Sequence, residues 1–449
     1  MNLANSNDIV SLSKKIKNCF SRIILREFKK IDFLEVAVYN TKEGRESTME
    51  KKKELIRTFY LDKLRRVVGT SDIKVLTGCR RTGKSTILSN FIDYVRNEFP
   101  DANIISIDFS LIEFERLREY KKLNEFVESH YIEGKENFVF IDEVQMCKNF
   151  ELVVNSFHAS KKYDIYITGS NAFLLNSDLA TLFTGRTFNI DVYPFSFKEF
   201  LEYFEYVDKQ TAFEEYRKIG GMPGSYAYDE LEEKYSYLNG VMNTVILRDI
   251  AQKYGVRNSS LLERLNDYLI DNVSNLVSMN KTAKTLQSNN IETNDKTCSL
   301  YVSYLCNAFM FYKMRRYDVR GKKYLSSNEK YYLVDTSFRH SRLGLRNPDF
   351  GRLSENIVAI ELMRRGYQVY AGFLYSTEID FVAMNGTEKI YIQVAEYIDN
   401  PETFAREYKP LLSIKDAYEK IILAKTRHEE YTYEGIKIID IADWLSRTN

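Results

Sequence analysis

The sequence of 449 residues predicts an α/β fold with a parallel β-sheet core, and three observations support this prediction. A short segment at 74–77 has the composition of a buried strand and leads into a glycine-rich loop, which apolar residues at helical spacing follow. A second segment at 138–141 is apolar throughout and is followed by two acidic residues, and a third at 165–168 is followed by small polar residues. Uninterrupted apolar segments are typical of strands buried on both faces of a sheet, as in parallel sheets covered by helices.

The glycine-rich loop at 78–85 matches the phosphate-binding pattern G-x-x-x-x-G-K-S/T at every fixed position. Gly78 and Gly83 permit backbone angles that a side chain disfavours, so that successive amide groups can face an anion. Lys84 can reach the β- and γ-phosphates of ATP, the Ser85 hydroxyl can coordinate Mg2+, and the following helix adds its N-terminal dipole. The residues expected to contact ATP are Gly78, Cys79, Arg80, Arg81, Thr82, Gly83, Lys84, Ser85 and Thr86.

The acidic pair after the second segment is Asp142-Glu143. An aspartate at the end of a strand beside the phosphate loop can hold Mg2+, directly or through water, and a glutamate after it can polarise the attacking water. An acidic pair that only caps a strand is the alternative interpretation. Because the pair ends a buried strand downstream of a complete phosphate loop, we expect ATP hydrolysis and not binding alone.

Two further side chains are candidates for catalysis. After the third segment, Asn171, with Ser170 as the second choice, can orient water against the γ-phosphate, although a simple turn residue is an equal alternative. Arg186, which precedes an alternating segment at 188–192, can approach transition-state charge as an arginine finger or sensor. An exposed arginine without such a role is the alternative. Action on a second copy would require an oligomer, whereas action within one chain would not.

These motifs resemble those of bacterial and archaeal AAA-type P-loop ATPases that carry a C-terminal domain of unknown function with a restriction-endonuclease-like, PD-(D/E)xK, core. The matching segments are 76–85, 140–145, 168–170, 185–186, 193–200, 220–223 and 378–381. The resemblance implies a five-stranded AAA-type ATPase core, a helical or winged-helix middle and a nuclease-like C-terminal module. The expected domains are 55–195 for the ATPase core, 196–345 for a helical lid and winged-helix domain, and 346–449 for the nuclease-like domain.

The extension at 1–54 precedes the part that resembles this family. Its first thirty residues contain seven Lys or Arg and two acidic residues, with apolar residues close to one helical face. We expect a basic helical extension that packs on the ATPase core, with contact to a membrane surface or nucleic acid as the alternative. An uninterrupted apolar region typical of a signal peptide does not follow the basic residues.

The middle of the chain is expected to be mostly helical from 229 to 320 and to contain a winged helix. Leu286 and a polar stretch precede a helix from about 299, as in a helix-turn-helix, and 317–334 is expected to form the wing hairpin. Winged helices bind DNA in some proteins and dock proteins in others. The basic residues expected at a phosphate-facing edge are Lys281, Lys284, Arg315, Arg316, Arg320, Lys322 and Lys323.

The C-terminal module lacks part of the nuclease pattern that the resemblance implies. Such nucleases place one acidic residue at a strand end and an acidic-x-Lys triplet on the next strand, where carboxylates hold Mg2+ and lysine helps to activate water. Asp380 matches the first acid, and Glu361 is the expected helix carboxylate. The triplet reads Gln393-Val394-Ala395, without the lysine. We therefore expect the nuclease-like site at Glu361, Asp380 and Gln393 to be catalytically degenerate.

Composition excludes several classes of protein and kinds of site. The net charge of +1 argues against a general polyanion-coating protein, and five scattered cysteines and four histidines indicate neither a disulfide framework nor a zinc site. No apolar run approaches the roughly 20 residues that span a bilayer, so we expect a cytoplasmic protein without an integral membrane segment.

The predicted function is Mg2+-dependent ATP hydrolysis that repositions the C-terminal domains against DNA or a protein client, with a monomer and an oligomer as open alternatives. An ATP-gated DNA nuclease and a nucleotide-bound scaffold without turnover are the alternatives.

Overall fold

The computed structural model describes residues 55–169, 183, 185–321, 323–345, 349–375 and 377–447. The basic extension predicted at 1–54 lies outside these residues. None of the helices in the described part of the chain has the length and apolar character that crossing a membrane requires.

The parallel sheet predicted for the first part of the chain is confirmed. Its five strands run in the order β2-β3-β4-β1-β5, and every neighbouring pair is parallel. The strands are β1 (Ile73–Thr77), β2 (Asn103–Asp108), β3 (Asn137–Asp142), β4 (Asp164–Thr168) and β5 (Thr187–Asp191). Because β4 lies between β1 and β3, the carboxyl ends of these three strands meet at one edge of the sheet.

Helices cover both faces of this sheet, as its buried strands require. The helices are α1 (Thr58–Arg65), α2 (Lys84–Glu98), α3 (Tyr120–Ser129) and α4 (Phe150–Ser160), with 3-10 turns at Ile112–Arg118 and Val144–Met146. On one face, Phe91 of α2 packs against Phe140 and Tyr166, with ring centroids 6.2 and 5.1 Å apart. On the other face, α3 and α4 pack against the alternate side chains of the same strands.

The segment after the sheet is mainly helical, as predicted. Its elements are α5 (Phe197–Phe204), α6 (Lys209–Ile219), a 3-10 turn at Pro223–Ala227, α7 (Leu231–Thr244), a π-helical segment at Val245–Gln252, α8 (Ser259–Asp271), α9 (Met279–Ser288) and α10 (Asp295–Asn307). Ser196 and Glu199 form a capping box that starts α5. The leucines of α8 lie in a core shared with α7 and α10.

The rest of the chain builds a second sheet of nine strands, in the order β13-β14-β12-β11-β10-β9-β7-β8-β6. The strands are β6 (Leu276–Val277), β7 (Phe311–Asp318), β8 (Lys323–Leu333), β9 (Gln368–Leu374), β10 (Thr377–Asn385), β11 (Glu388–Ala395), β12 (Glu419–Ala424), β13 (Tyr431–Tyr433) and β14 (Ile436–Asp440). The helices beside them are α11 (Ser337–Leu343), α12 (Phe350–Arg364), α13 (Pro401–Leu412) and α14 (Ile441–Ser446).

The hairpin predicted as a wing is present as the antiparallel pair β7 and β8. It does not stand alone, because β7 also pairs in parallel with β9 of the C-terminal module. The second sheet therefore runs across the boundary predicted between 345 and 346. The assignment of a winged helix, and the domain boundaries, stay predictions.

Candidate nucleotide site

The glycine-rich loop has the backbone that its sequence predicts. It follows β1 directly, and Gly78 and Gly83 have φ angles of 144° and 94°. A Cβ atom on Gly78 would lie 2.2 Å from the backbone oxygen of Val192, just after β5. Only glycine fits this close approach between two strand ends. The loop then enters α2 at Lys84.

Lys84 is buried at the base of this loop. Its ammonium group donates to the backbone oxygens of Gly78 and Cys79, at 3.0 and 2.9 Å. Burial lowers the pKa of Lys84, while the carboxylates of Glu143 and Asp142 act in the opposite direction. The side chain is thus held between the loop and the acidic pair, where the phosphates of a nucleotide would supply further negative charge.

The acidic pair is held by a threonine that the sequence analysis did not assign to the site. The hydroxyl of Thr168, the last residue of β4, donates to Oδ1 of Asp142. The backbone amide of Glu143 donates to the same carboxylate at 3.1 Å, and Gln145 Nε2 donates to Glu143 Oε2. The position of Thr168 at the end of the middle strand is the signal that could have identified it, because parallel strand ends meet at one edge.

A cavity of about 650 Å3 brings the loop and the acidic pair together. This volume lies within the range of about 300 to 1,000 Å3 that is common for small-molecule sites. One wall comes from the sheet and its loops, with Arg80, Arg81, Gly83, Lys84, Ser85, Thr86, Asp108, Ser110, Asp142, Glu143 and Met146. The facing wall comes from the helical segment, with Pro223, Gly224, Tyr237 and Arg248. The sequence analysis assigned none of these four residues to the site, although Pro223 lies in the matching segment 220–223.

Arg80 joins the phosphate loop to this helical wall. Its guanidinium group donates two hydrogen bonds to the carboxylate of Asp249, at 2.9 and 3.0 Å. These bonds raise the pKa of Arg80 against the effect of its burial. Asp249 is buried and lies in the π-helical segment, one residue after Arg248. In the sequence, Arg248 and Asp249 resemble the polar residues of any amphipathic helix. No local pattern therefore identifies Asp249 as the partner of Arg80.

A second arginine supports the loop from the N-terminal side. Arg57 is buried, and its side chain donates to the backbone oxygen of Thr82 at 2.9 Å and to that of Pro194 at 3.2 Å. It also forms a bidentate ion pair with Glu199 of α5, at 2.7 and 2.8 Å. The Pro194 oxygen accepts a further bond from Arg364 of α12, at 2.8 Å. The buried side chains of Arg57 and Arg364, which share the Pro194 oxygen, therefore connect the phosphate loop with the C-terminal module.

Arg186 lies at the other edge of the sheet. Its backbone oxygen accepts from the amide of Ile73, the first residue of β1, whereas the phosphate loop follows the last residue of that strand. At about 3.3 Å per residue, the two positions are roughly 16 Å apart. The exposed Arg186 side chain donates to Asn155 at 3.2 Å. Arg186 is therefore not among the residues that line the nucleotide cavity, and its action on ATP, in its own chain or in a second copy, stays a prediction. Asn171 and Ser170 lie outside the described residues.

The structure brings together two of the three predicted nuclease-like residues. On adjacent strands, the Asp380 amide donates to Gln393 Oε1 at 3.3 Å, and the Asp380 carboxylate accepts from the Val394 amide at 2.8 Å. Burial, together with Glu355, raises the pKa of Asp380 well above its usual range.

Glu361 is engaged elsewhere, with Arg364 and Arg365 at 2.6 and 2.8 Å. The helix carboxylate that interacts with Asp380 is instead Glu355. Six positions separate the two glutamates, and at 3.6 residues per turn they lie on different faces of α12. This periodicity could have distinguished them once the sheet-facing side of the helix was known.

The predicted basic edge is only partly described. Lys281 and Lys284 are exposed on α9, and Arg315 and Arg320 are exposed on and just after β7. Arg316 lies over the ring of Phe373, 3.7 Å from its centroid. Lys322 and the side chain of Lys323 lie outside the described parts. A role of these residues with nucleic acid stays a prediction.

Comparison with known proteins agrees with the first part of this architecture. Residues 70–201 match an AAA domain, and 210–349 match a domain of unknown function, DUF8612. Among solved structures, partial similarity is found to ORC1 of Aeropyrum pernix in complex with DNA, at 12% identity and a TM-score of 0.29 over 69% of this chain and 94% of that one. AMPPCP-bound DnaA from Aquifex aeolicus is 14% identical, with a TM-score of 0.29 over 55% of this chain and 85% of that one.

Two relatives match over most of their length. An uncharacterized protein of Methanocaldococcus jannaschii is 28% identical over 371 residues, 78% of each chain. An uncharacterized protein of Haemophilus influenzae is 39% identical over 396 residues, which are 87% of this chain and 98% of the relative. The chain belongs to the same family as this Haemophilus influenzae protein, and its residues 70–201 form an AAA domain.

Proposed function

We propose that the protein hydrolyses ATP in the 650 Å3 cavity, with Mg2+ bound. The observation that carries this proposal is that Lys84, Asp142 and Glu143 line one cavity, although they come from segments separated by more than fifty residues. A nucleotide-bound scaffold would need the loop and the lysine, but it would not need a glutamate beside the aspartate.

The oxygen donors in this cavity fit the requirements of Mg2+, which prefers carboxylate and hydroxyl oxygens and phosphates. Ser85 and Asp142 would hold the ion, which would neutralise charge on the phosphates. Thr168 positions Asp142 through its hydroxyl bond. Lys84 binds the β- and γ-phosphates, and Glu143 takes the proton of the attacking water. Arg248, on the facing wall, lies where it can neutralise charge on the phosphates.

The test of binding is Lys84→Ala. We expect this variant to lose ATP binding measured by isothermal titration calorimetry, because the phosphates lose their buried positive charge. Lys122→Ala is the matched control, since Lys122 is exposed on α3, where it pairs with the nearby Glu125 at 3.0 Å. Unchanged ATP affinity in Lys84→Ala would refute the assignment of the loop.

The test of hydrolysis is Glu143→Gln. We expect this variant to bind ATP and to release no phosphate, because glutamine cannot accept the proton of the attacking water. Glu113→Gln, at an exposed position outside the cavity, is the control and should turn over like the wild type. Wild-type phosphate release by Glu143→Gln would remove Glu143 from the catalytic role.

The client of this ATPase is proposed to be DNA or a protein that contacts the helical and C-terminal parts. The contacts of Arg80 with Asp249, and of Arg57 and Arg364 with Pro194, support a coupling between the loop and those parts. The Glu143→Gln variant, held with ATP, should retain the client when it is isolated from cells. A retained DNA fragment and a retained protein distinguish the two classes, and recovery of neither argues against a client bound in the ATP state.

One observation favours DNA cleavage as a second candidate function. Lys330 of β8 is buried beside the nuclease-like residues and pairs with Glu355 at 2.8 Å and with Glu378 at 2.5 Å. Burial opposes its charge, but Glu355, Asp380 and Glu378 together raise the pKa of Lys330. A lysine from another strand thus lies in the cluster that lacks one at Ala395. Among the described residues, no group of three His, Cys, Asp or Glu side chains is arranged to hold a metal ion.

Incubation with plasmid DNA tests this second function, in Mg2+ or Mn2+ and with or without ATP. Cleavage that is lost in both Asp380→Ala and Lys330→Gln would establish it. Lys313→Gln is the control, because Lys313 is largely exposed and pairs with Glu329 outside the cluster. Intact plasmid under all four conditions would exclude the nuclease.

A further inference from the structure

The carboxylate proposed to activate water is held by a residue that lies just outside the nucleotide cavity. Glu143 lines that cavity, whereas Gln145, in the 3-10 turn that follows, lines an adjoining space of about 340 Å3. Arg80, Met146 and Arg248 line both, so the two spaces are parts of one site. The Nε2 atom of Gln145 donates to Oε2 of Glu143. The roles proposed for the phosphate loop and the acidic pair do not explain this bond.

The backbone of the turn fixes where both side chains begin. Glu143 has a φ angle of 53°, in the left-handed region that residues with a side chain rarely adopt. Its amide donates to Asp142 Oδ1 at 3.1 Å and to the Thr168 hydroxyl at 3.2 Å, and its backbone oxygen accepts from Met146 at 2.9 Å. Rare backbone conformations persist where surrounding contacts enforce them, commonly at functional sites. The turn thus holds Glu143 and Gln145 where their side chains meet.

The chemistry of the two groups fixes the orientation of the Gln145 amide. An ionised carboxylate only accepts hydrogen bonds, so the NH2 group of Gln145 is the end that can bind Glu143. The Oε1 atom of Gln145 and the Nε atom of Arg118 are buried on the wall of the adjoining space, and neither has a hydrogen-bond partner among the described residues. One is an acceptor and the other a donor, so one water molecule between them can satisfy both. Arg118 is anchored, since its Nη2 atom donates to the Phe109 backbone oxygen at 2.8 Å. Arg118 therefore favours the orientation in which Gln145 donates to Glu143.

Two cations compete for the Glu143 carboxylate. The hydrogen bonds to Asp249 raise the pKa of Arg80 most, and the charge of Glu143 acts in the same direction. Burial lowers the pKa of Lys84, and the charge of Glu143 opposes this effect. The carboxylate is therefore within electrostatic reach of both side chains. A carboxylate paired with a cation is a weaker acceptor for the proton of water, whereas an amide donor fixes the carboxylate without a full charge.

We propose that Gln145 is a positioning residue for ATP hydrolysis, which holds the Glu143 carboxylate towards the attacking water and away from Arg80 and Lys84. This proposal rests on the hydrolysis proposed above and adds a residue that does not line the nucleotide cavity. A glutamate side chain has several rotamers, and holding one of them before the reaction lowers the cost of reaching the reactive geometry. Because Gln145 acts on the carboxylate, its loss should lower kcat and leave the affinity for ATP unchanged.

The experiment replaces Gln145 in the full chain and measures steady-state phosphate release with ATP and Mg2+. Gln145→Met keeps the length of the side chain without a donor, and Gln145→Glu keeps its shape but has only acceptor oxygens when ionised. We expect kcat to fall at least about tenfold in both variants, which is the lower end of the effect of a hydrogen bond to a charged group. In Gln145→Met, we also expect an unchanged KM and an unchanged affinity for a non-hydrolysable ATP analogue in titration calorimetry.

The matched controls are Gln287→Met and Gln287→Glu, because Gln287 is exposed on α9 and donates to the backbone oxygen of Thr293. Urea unfolding measures the stability of all four variants. A role in folding alone would lower stability and leave the kcat of the folded fraction at the wild-type value. Gln145→Glu, which keeps a polar side chain, decides the question if Gln145→Met does not fold.

The results separate this proposal from the proposed function. A wild-type or increased kcat in the folded Gln145 variants would overturn the positioning role while ATP hydrolysis by the wild type stands. A loss of ATP affinity that accounts for the whole loss of kcat/KM would assign Gln145 to nucleotide binding and would also overturn it. A wild-type protein that binds ATP without releasing phosphate would overturn both proposals together.

Discussion

Replacement of Arg57 by alanine removes the side chain that ties the phosphate loop to the start of α5. The guanidinium group is buried, with 3% of its residue surface exposed, and it donates to Thr82, Pro194 and both oxygens of Glu199. Burial alone would raise the pKa of Glu199, but the charge and hydrogen bonds of Arg57 hold it below its ordinary value. In Arg57→Ala, the Glu199 carboxylate would stay buried without its partner.

The expected loss of stability follows from this geometry. Removal of one member of a buried ion pair costs about 3 to 5 kcal/mol, because the other charge is left unpaired. This is a large part of the roughly 5 to 15 kcal/mol that stabilises a typical folded protein. The Pro194 oxygen keeps its bond from Arg364, so the cost should come mainly from Glu199 and Thr82. Because Thr82 lies in the phosphate loop, we also expect ATP to bind about tenfold more weakly, equivalent to about 1.4 kcal/mol.

Urea unfolding measures the loss of stability, and titration calorimetry measures the change in ATP affinity. Trp444, the only tryptophan of the chain, is buried beside Arg365 and serves as the fluorescence probe. Arg65→Ala is the control, since Arg65 pairs with Asp62 at the surface and such pairs contribute about 1 kcal/mol or less. An Arg57→Ala protein with the unfolding midpoint and ATP affinity of that control would refute the reasoning.

Three other perturbations test single contacts. Thr168→Val should reduce ATP turnover at least tenfold with little change in KM, because a hydroxyl bond to the charged Asp142 is worth about 1.5 to 3 kcal/mol; phosphate-release kinetics measure it, and Thr168→Ser should restore turnover. Gly78→Ala should abolish ATP binding in calorimetry, because its Cβ would lie 2.2 Å from the Val192 oxygen. Burial lowers the pKa of His340 to about 4, so its contribution to stability is present above pH 6.5 and is lost as the pH falls towards 4. Over this pH range, the free energy of unfolding measured in urea should fall by up to about 3 kcal/mol more in the wild type than in His340→Gln.

Local sequence patterns were sufficient to predict the phosphate loop and the strands and helix around it. The strand before Gly78, the helix after Lys84 and the apolar strand before Asp142 are each encoded within about fifteen neighbouring residues, and the structure confirms all three. Their meeting in one cavity also follows from the sequence, because adjacent parallel strands bring their carboxyl ends to one edge. The same rule places residues that precede a strand at the other edge. Applied to Arg186, it predicts a position beside the first residue of β1, away from the phosphate loop of its own chain.

The facing wall of the cavity could not be predicted in this way. Tyr237, Arg248 and Asp249 follow the phosphate loop by about 150 to 170 residues, and no local pattern distinguishes them from the polar residues of any amphipathic helix. Lys330 is similar, because it reaches the nuclease-like cluster from β8, a strand outside the motif that the pattern describes. Contacts between distant segments depend on the arrangement of helices and sheets, which single-sequence periodicity does not determine.

The buried contacts around the phosphate loop determine how a nucleotide could affect the rest of the molecule. Arg57 joins the loop to α5, the shared Pro194 oxygen joins it to Arg364 of α12, and Arg80 joins it to Asp249. Each contact pairs a charge that would be costly to leave alone in the interior. A shift of the loop upon ATP binding must therefore move its partners with it or break a pair. The helical wall and α12 are consequently the parts where nucleotide-dependent movement should be measured.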